Sequence, residues 1–337
     1  MSICKGIPKN IKIMITKDAH FSHTVSADWL GLGTDNVIVI ESNLDRTSNL
    51  KDAEMKMREV FEKGNLLSSI TINGGTTYSH TVDDIKSFIN LRDKIVKEFS
   101  LPYKPHVHVD TVIGWSWLIF KDYDFFKNDM KIDKETLSKI KKQYEKLSYL
   151  KYADSWGIDF HKGVGVSPIP CSMIMFNKMK DLNLLSKKED SFVNVHQLAP
   201  EFSFTSPADF TLETSRPGGA ALAALASLHT IGINGFRENL ANLVKLSLLT
   251  KKLLSKYKDF MVCNKYSLGY VTMFRIYPPE FKNDPRRYLE FIKRDNNMKE
   301  FIDFVNKYTK EFFSWDYKNR MLKNIGVEYS FSSGYVE

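Results

Sequence analysis

The chain has 337 residues, of which 43% are hydrophobic and 26% are charged, and this globular composition excludes an intrinsically disordered protein. The formal net charge is +8, but the lysines are interspersed with acidic residues and no arginine cluster accompanies them, which argues against a nucleic-acid partner. Three cysteines, Cys4, Cys171 and Cys263, have neither disulfide nor metal-ligand spacing, so we expect free thiols, no metal site and a reducing compartment.

The chain also lacks the sequence signals of export and of membrane insertion. Its N-terminus has no signal-peptide core, and its longest apolar stretch, residues 220–233, is shorter than a membrane-spanning helix. These observations predict a soluble, cytoplasmic protein without membrane contact. The positive net charge can still attract anionic small molecules.

Apolar and β-branched runs alternate with segments of helical spacing through the first half of the chain. Predicted strands lie at residues 12–16, 36–41, 68–72, 106–110, 154–159 and 171–176. Predicted helices lie at residues 19–30, 50–63, 83–99 and 133–150. This alternation predicts an α/β fold, with a mostly parallel sheet that is built from βαβ units and sandwiched by helices.

The C-terminal part of the chain has a different pattern. Residues 218–257 are helical almost throughout, with a break near residues 232–235. Two short strands at 260–263 and 269–277, and a helix at 289–313, then predict a smaller α+β module. We therefore predict a large domain over residues 1–258 and a small C-terminal domain over residues 259–337.

Polar residues cluster where three of the predicted strands end. Residues 73–77, Asp110 and residues 159–162 each lie at the carboxyl end of a strand. Because ligands of open parallel sheets bind beyond the carboxyl ends of the strands, we expect a functional site at this edge.

Lys162 has the most distinctive chemistry in this cluster. Its primary amine can attack an aldehyde and can later be displaced by a substrate amine, as enzymes with an aldehyde cofactor require. The alternative is that Lys162 is one more solvated cation among 48 lysines and arginines.

The other polar residues of the cluster are each compatible with a flat cofactor and with a simpler role. A buried carboxylate at Asp110 needs a cationic partner, either a protonated ring nitrogen or a surface lysine, unless it caps the next turn. His20 follows a strand and a short turn, and its ring could lie on a planar cofactor or belong to an ordinary surface histidine. Residues 74–77 offer two glycines and two hydroxyls, which suit a ligand or a polar loop.

Together these segments resemble the pyridoxal-phosphate-dependent group II amino-acid decarboxylases of the fold-type-I aminotransferase superfamily. The resemblance extends over residues 11–235, and its specific part is the combination of His-Val-Asp with Asp-x-His-Lys. The motifs that carry it are, in chain order, Asp18-Ala19-His20-Phe21-Ser22, Gly75-Thr76-Thr77 with Asp83-Asp84-Ile85, His108-Val109-Asp110, Ala153-Asp154-Ser155 through Asp159-Phe160-His161-Lys162, and Thr211-Leu212-Glu213-Thr214-Ser215-Arg216.

The resemblance implies a role for each matched residue. Pyridoxal 5'-phosphate would form a Schiff base with Lys162, Asp110 would pair with its pyridine nitrogen, and His20 would stack on its ring. The further implied contacts are His161 beside the phosphate or the reacting carbon, Thr77 near the cofactor or the substrate carboxylate, and His108 in support of Asp110. Arg216 would form a dimer-interface ion pair or bind a substrate anion, or it is a structural arginine at the start of a helix.

The implied function is the pyridoxal-phosphate-dependent decarboxylation of an L-amino acid by a homodimer. Alternatives are another lyase or aminotransferase on the same fold, and a catalytically impaired fragment or partner subunit of a split decarboxylase. In the family, a Gly-Ser/Thr-rich phosphate loop precedes the segment that matches residues 18–22. No such loop is found here, so we expect the N-terminal part to be missing and consider a separate chain that supplies it. A second departure is the absence of a tyrosine between residues 177 and 215, where the family often has its proton donor, and a third, milder one is Gly163 in place of a bulky residue.

Overall fold

The computed structural model of the protein describes residues 7–178, 181, 218–277 and 299–323, so Cys4 and Arg216 lie outside the described residues. Short 3₁₀ segments occur at Thr34–Asn36, Gly114–Phe120 and Ser148–Tyr152. The helices and strands of the described part are, in chain order, β1 (Ile11–Thr16), α1 (Ser22–Trp29), β2 (Val37–Ile40), α2 (Leu50–Glu62), β3 (Leu66–Asn73), α3 (Ile85–Glu98), β4 (His106–Asp110), α4 (Lys134–Leu147), β5 (Ser155–Asp159), β6 (Ser172–Phe176), α5 (Gly219–Leu254), β7 (Phe260–Val262), β8 (Phe274–Ile276) and α6 (Lys299–Lys323).

The first six strands form one sheet in the order β2-β1-β3-β4-β5-β6. Strands β1 to β5 pair in parallel, whereas β6 pairs with β5 in the antiparallel direction. Fully buried apolar side chains occupy the central strands, as a sheet covered on both faces requires; they include Met14, Leu67, Ile70, Ile72, Val107 and Val109. The predicted α/β fold with a mostly parallel sheet is confirmed.

Three helices begin at residues whose side chains cap the first free N–H groups. Asn49 accepts hydrogen bonds from the backbone at the start of α2, and Asp84 and Asp133 do the same for α3 and α4. The apolar face predicted for α3 is buried, and it comprises Ile85, Phe88, Ile89 and Ile95. Helix α3 therefore buries the face that the sequence pattern assigned to the core.

A largely buried ion pair joins α3 to the residue that precedes β5. Arg92 is only 5% exposed, and its Nη1 lies 2.5 Å from Oδ2 of Asp154. The same carboxylate oxygen accepts the backbone N–H of Val107 in β4. The pair thus fixes the starts of β4 and β5, two strands whose far ends carry candidate site residues.

Helix α5 spans 36 residues and is interrupted at Gly232, whose φ of 68° and ψ of 166° are not helical. The break predicted near residues 232–235 is confirmed. Among the described residues this is the one helix that is long and apolar enough to cross a membrane, and little of its apolar part is buried. A core helix of a soluble protein can meet the same criterion, so the expected absence of membrane contact stays a prediction.

The chain divides into two compact units. The first comprises residues 1–245 and 266–271, and the second comprises residues 246–265 and 272–337. This division falls inside α5, whereas the sequence-based boundary of 258/259 lies within the second unit.

The second unit contains the short antiparallel pair β7 and β8 and the helix α6. The buried side chains of Met261, Tyr277 and Val305 form its core. Residues 299–313 of the predicted helix 289–313 belong to α6, and residues 289–298 lie outside the described residues. Helix α6 continues to Lys323, ten residues beyond the predicted end.

Candidate active site

Three neighbouring strands place polar residues at one edge of the sheet. Strand β3 ends at Asn73, β4 at Asp110 and β5 at Asp159, and the three strands are adjacent in the order β3-β4-β5. Asn73 lies opposite Asp110, and Asp110 lies opposite Gly157. The expected coincidence of these three strand ends is confirmed.

Glycines bring the loops that follow β3 and β4 into direct contact. A Cβ atom on Gly114 would lie 1.5 Å from the carbonyl oxygen of Gly74, so a side chain cannot be accommodated there. Gly75 has a φ of 142°, and a Cβ on it would lie 2.6 Å from the backbone nitrogen of Gly114. The backbone of the turn predicted at residues 74–77 therefore directly contacts the backbone of the loop after β4. This contact holds the loops that follow β3 and β4 together.

The loop that follows β5 reaches the same region through Gly163. Its φ is +71°, and a Cβ atom there would lie 2.8 Å from the carbonyl oxygen of Ile113. A bulky residue would be strained by both the backbone conformation and the contact. Glycine at this position therefore follows from how closely the loop after Lys162 approaches the loop after β4.

Asp110 is a largely buried carboxylate with a fixed orientation. Its Oδ1 accepts the backbone N–H of Val112 at 3.2 Å, and its Oδ2 lies 3.1 Å from Nε2 of His23. Burial alone would raise the pKa of Asp110. The hydrogen bond from His23, the charge of His23 and the hydrogen bond from the Val112 N–H together outweigh the effect of burial, so the pKa of Asp110 lies below its usual value. Asp110 is therefore an ionised acceptor at the end of a central strand.

The hydrogen bond of His108 is made to the neighbouring strand and not to Asp110, and the support of Asp110 that the resemblance implied stays a prediction. Both side chains lie on one face of β4, but Nδ1 of His108 lies 2.8 Å from Oγ of Ser155. His106 contacts the same hydroxyl through Nε2 at 2.7 Å. Burial lowers the pKa of His108 to about 4, so the ring is neutral near pH 7. The side-chain partner of Asp110 is instead His23, which the sequence analysis missed.

His20 lies within electrostatic reach of both Asp110 and Lys162. Partial burial lowers its pKa, the charge of Asp110 opposes this effect, and the charges of Lys162 and His23 add to it. Its Nδ1 accepts the backbone N–H of Ser22 at 3.3 Å and contacts the Ser22 hydroxyl at 2.8 Å. The neutral ring consequently carries its proton on Nε2. The structure thus brings three of the predicted site residues, His20, Asp110 and Lys162, into one electrostatic neighbourhood.

Lys162 forms an ion pair with the last residue of β5. Its Nζ lies 2.9 Å from Oδ2 of Asp159, and 42% of the lysine side chain is exposed. His161 lies on the same carboxylate, with Nε2 at 3.7 Å from Oδ2, while its Nδ1 accepts the backbone N–H of Cys171 at 3.1 Å. Asp159 therefore orients both residues of the His-Lys pair, a role that the sequence analysis did not assign.

Thr77 is exposed, whereas its neighbour Thr76 is buried. The hydroxyl of Thr76 bonds with Ser79 at 2.7 Å and accepts the backbone N–H of Thr81 at 3.1 Å. Thr76 therefore shapes the loop, and the hydroxyl of Thr77 is the one that is accessible to a ligand. The cofactor or substrate contact of Thr77 stays a prediction.

Asp83 stabilises the end of β3 from behind the site. Its carboxylate is fully buried and accepts the backbone N–H groups of Ser48 and Asn73, at 2.6 and 2.8 Å, and the Ser48 hydroxyl at 2.8 Å. Asn73 in turn donates to the hydroxyl of Thr16 at 2.7 Å. Burial raises the pKa of Asp83 to about 6 in spite of these donors. Asp83 belongs to one of the motifs that carry the family resemblance. Its buried partners, Ser48 and Asn73, lie in other parts of the chain and are not part of that motif.

The arrangement offers three complementary groups to a small ligand. Lys162 supplies an exposed amine, Asp110 an ionised carboxylate, and His20 a partly exposed neutral ring. An amine suits an aldehyde, a buried carboxylate suits a protonated aromatic nitrogen, and an imidazole suits a flat ring face. The geometry is therefore compatible with a planar, cationic heterocycle that bears an aldehyde.

Comparisons with known proteins agree with this chemistry. A sequence profile described as the pyridoxal-dependent decarboxylase conserved domain matches residues 4–277. A probable L-aspartate decarboxylase from Pyrococcus furiosus is 28% identical over 242 residues, which are 71% of this chain and 53% of that protein. An L-aspartate decarboxylase from Thermococcus kodakarensis is 29% identical over 243 residues, or 69% of this chain and 49% of that protein.

The crystal structure of mouse CSAD has a similar fold, with a TM-score of 0.63 at 17% identity. The match covers 96% of this chain and 57% of the mouse chain. The chain thus spans about half the length of the curated relatives that it matches.

Proposed function

Because the chain belongs to the pyridoxal-dependent decarboxylase family, we propose that it carries out the decarboxylation of an L-amino acid with pyridoxal phosphate bound at Lys162. The observation that carries the proposal is that β4 and β5 are adjacent parallel strands, so that Asp110 at the end of β4 and Lys162 beyond the end of β5 lie at the same edge of the sheet. The electrostatic neighbourhood that His20 shares with both residues supports it. The family requires such an arrangement for its cofactor.

The residues present fit the cofactor. Lys162 would hold it through its aldehyde, Asp110 would bind the protonated ring nitrogen, and His20 would lie against the ring. His161 is proposed to lie near the phosphate or the reacting carbon, and Thr77 near the cofactor or the substrate carboxylate. When bound, pyridoxal phosphate supplies an electron sink that accepts the electron pair left on the α-carbon as carbon dioxide departs.

Asp110 contributes by keeping a proton on the ring nitrogen. A carboxylate that is largely buried and ionised interacts strongly with a cation, because little water screens the two charges. The donors from His23 and Val112 fix both carboxylate oxygens before any ligand arrives. Asp110 therefore needs no reorganisation to receive a protonated ring.

His20 contributes a flat surface without a positive charge. Its lowered pKa keeps the imidazole neutral near pH 7, so it does not repel a cationic ring or the Lys162 ammonium. Its Nδ1 is held by Ser22, which fixes the ring orientation. His20 can thus pack against a ligand and exclude water from one of its faces.

The relatives suggest where the search for a substrate should begin. Both relatives described above are named as L-aspartate decarboxylases, one of them with the qualifier "probable". We propose L-aspartate as the first candidate substrate, with L-glutamate as the matched comparison that differs by one methylene. Another lyase or an aminotransferase reaction would be recognised by keto-acid formation instead of carbon dioxide release.

The functional assembly is also a proposal. The family resemblance predicts a homodimer, and the cysteine spacing and the N-terminal sequence favour a cytoplasmic location. Because the chain spans about half of its relatives, a partner chain that supplies the rest of the fold is the alternative, and the chain alone would then be an inactive subunit. Mass measurement of the purified protein, alone and after co-expression with the adjacent reading frames, distinguishes the two assemblies.

Cofactor attachment tests the proposal directly. The full chain is incubated with pyridoxal phosphate, reduced with borohydride, digested and analysed by mass spectrometry. We expect the phosphopyridoxyl mass on the peptide that contains Lys162, its loss in Lys162→Ala, and its retention in Lys97→Ala, which alters another exposed lysine. Modification spread over many lysines, or equal labelling of Lys162→Ala, would contradict the proposal. Carbon dioxide release from L-aspartate and L-glutamate then tests the reaction.

A further inference from the structure

We propose that His23 is a positioning residue, which orients Asp110 and keeps it ionised for the ligand that the site receives. This inference rests on the proposed function, because it assigns a role in support of Asp110. His23 lies in the first turn of α1 and Asp110 ends β4, so their contact joins residues 87 positions apart. The two side chains are only 22% and 14% exposed.

The hydrogen bond has a defined direction. An ionised carboxylate can only accept, so Nε2 of His23 carries the proton and donates it to Oδ2 of Asp110. The second oxygen, Oδ1, accepts the backbone N–H of Val112. Rotation of the carboxylate would break one bond or both, and each oxygen still has a lone pair for a ligand cation.

The other basic side chains near Asp110 have their hydrogen bonds elsewhere. His108 is bonded to Ser155, His20 to Ser22, and Lys162 to Asp159. In the part of the chain that the structure describes, His23 is the side chain that hydrogen-bonds to Asp110. The orientation of this carboxylate therefore depends on His23 more than on the histidine that precedes Asp110 by two residues.

The contact also compensates for the burial of the carboxylate. Burial raises the pKa of Asp110, and the hydrogen bond from His23 is the largest of the effects that lower it. The titratable groups that interact electrostatically with both members of this pair are His20 and His108. Without His23, Asp110 would have only one backbone donor and these weaker interactions to keep it ionised before a ligand binds.

Three variants test the role of His23. His23→Phe keeps a ring of similar size and removes the donor, and His23→Gln keeps a neutral N–H donor at a similar reach. His229→Phe is the matched control, because His229 is an exposed histidine of α5. Circular dichroism and thermal unfolding first establish that each variant folds.

The first readout needs no cofactor. Aspartate residues are labelled with ¹³C at the carboxyl carbon, and the Asp110 signal is assigned by its absence in Asp110→Asn. We expect His23→Phe to raise the pKa of Asp110 and His229→Phe to leave it at the wild-type value. His23→Gln should give an intermediate pKa, since the hydrogen bond remains and the charge is lost. Should His23→Phe not fold, the shift in His23→Gln alone decides.

The second readout is the equilibrium affinity for pyridoxal phosphate, followed by absorbance. We expect His23→Phe to weaken it by at least about tenfold, because a hydrogen bond to a charged group is lost. His23→Gln should recover most of this loss, which a purely structural role would not predict. An Asp110 titration and a cofactor affinity that are the same in His23→Phe and His229→Phe would overturn the inference. If the wild-type protein does not bind the cofactor, the proposed function fails, whereas the titration of Asp110 still tests His23.

Discussion

Lys162 and Asp159 form an ion pair at the end of β5, with Nζ of the lysine 2.9 Å from Oδ2 of the aspartate. An ammonium ion is not a nucleophile, so an aldehyde can be attacked only after Lys162 has left the carboxylate and lost a proton. Asp159 therefore orients Lys162 in a contact that must break before the amine reacts.

We expect Asp159→Asn to accelerate the covalent uptake of pyridoxal phosphate at neutral pH, because the amine is no longer held by a negative charge. The lysine is partly exposed, so the ion pair is worth at most about 1 kcal/mol and the acceleration should be about two- to fivefold. Stopped-flow absorbance after mixing with the cofactor measures the rate. Glu41→Gln, which breaks the exposed pair with Lys17, is the control and should change nothing. A slower uptake in Asp159→Asn would indicate that the carboxylate acts as the proton acceptor instead.

The strand and helix pattern was predictable because it depends on local periodicity. All six sheet strands were predicted to within two residues at both ends, and the break in α5 was signalled by glycine at position 232. The direction of β6 was not predictable, because antiparallel pairing with β5 is set by tertiary contacts that leave no local pattern. The end of α6 was predicted ten residues too early.

The candidate site was predictable as a set of strand ends, but its hydrogen-bond partners were not. Alternation along β4 places His106, His108 and Asp110 on one face, and the family resemblance implied that His108 supports Asp110. The structure supplies Ser155 from the neighbouring strand for both histidines, so the partner of Asp110 has to come from elsewhere. His23 occupies that place because α1 begins next to the end of β4, a relationship that no single segment encodes.

The ion pair between Arg92 and Asp154 should be important for stability. Removal of Arg92 would leave a partly buried carboxylate that keeps only the Val107 N–H, so we expect Arg92→Leu to lower the free energy of unfolding by about 3 kcal/mol. The double variant Arg92→Leu/Asp154→Asn should recover part of this loss, because no unpaired charge remains. Urea unfolding monitored by tryptophan fluorescence measures both values.

The exposed pair between Lys127 and Asp129 provides the control for that experiment, since both side chains are more than half exposed. Lys127→Met should change the free energy of unfolding by no more than about 0.5 kcal/mol. Equal effects of Lys127→Met and Arg92→Leu would show that burial does not strengthen the Arg92 pair.

The contact between Gly114 and Gly74 should tolerate no side chain. In Gly114→Ala, the added Cβ would lie 1.5 Å from the Gly74 carbonyl oxygen, so the loops after β3 and β4 must separate. We expect a loss of about 3 kcal/mol in the free energy of unfolding and a weaker affinity for pyridoxal phosphate, because Asp110 begins one of these loops. Chemical denaturation and an absorbance titration measure the two effects.

Gly31→Ala separates steric contact from backbone strain. Gly31 has a φ of +74° but no atom within 4 Å of an added Cβ, so its substitution should cost only about 1 kcal/mol and leave cofactor affinity unchanged. A smaller loss in Gly114→Ala than in Gly31→Ala would contradict the close packing of the two loops.

Asp83 should make the stability of the protein depend on pH in a direction opposite to that of most aspartates. Its pKa is raised to about 6 by burial, against about 4 in an unfolded chain. Between these values the folded state binds the proton more tightly, so the stability from protonation is present below about pH 4 and is lost as the pH rises to about 6. The loss amounts to about 3 kcal/mol. His80 and His108, with pKa values lowered by burial to about 3 and about 4, contribute the opposite slope.

A comparison of Asp83→Asn with the wild type isolates the contribution of Asp83 to the pH dependence, because both proteins contain His80 and His108. Asp83→Asn cannot ionise, so its free energy of unfolding relative to wild type should rise by up to about 3 kcal/mol between pH 4 and pH 6.5. Ser48→Ala removes the hydroxyl that donates to the ionised carboxylate, and it should extend the loss to higher pH. Urea unfolding at intervals of half a pH unit measures these profiles. Parallel profiles for Asp83→Asn and wild type would mean that Asp83 keeps its charge throughout this range, with Lys146 as the cation that compensates for its burial.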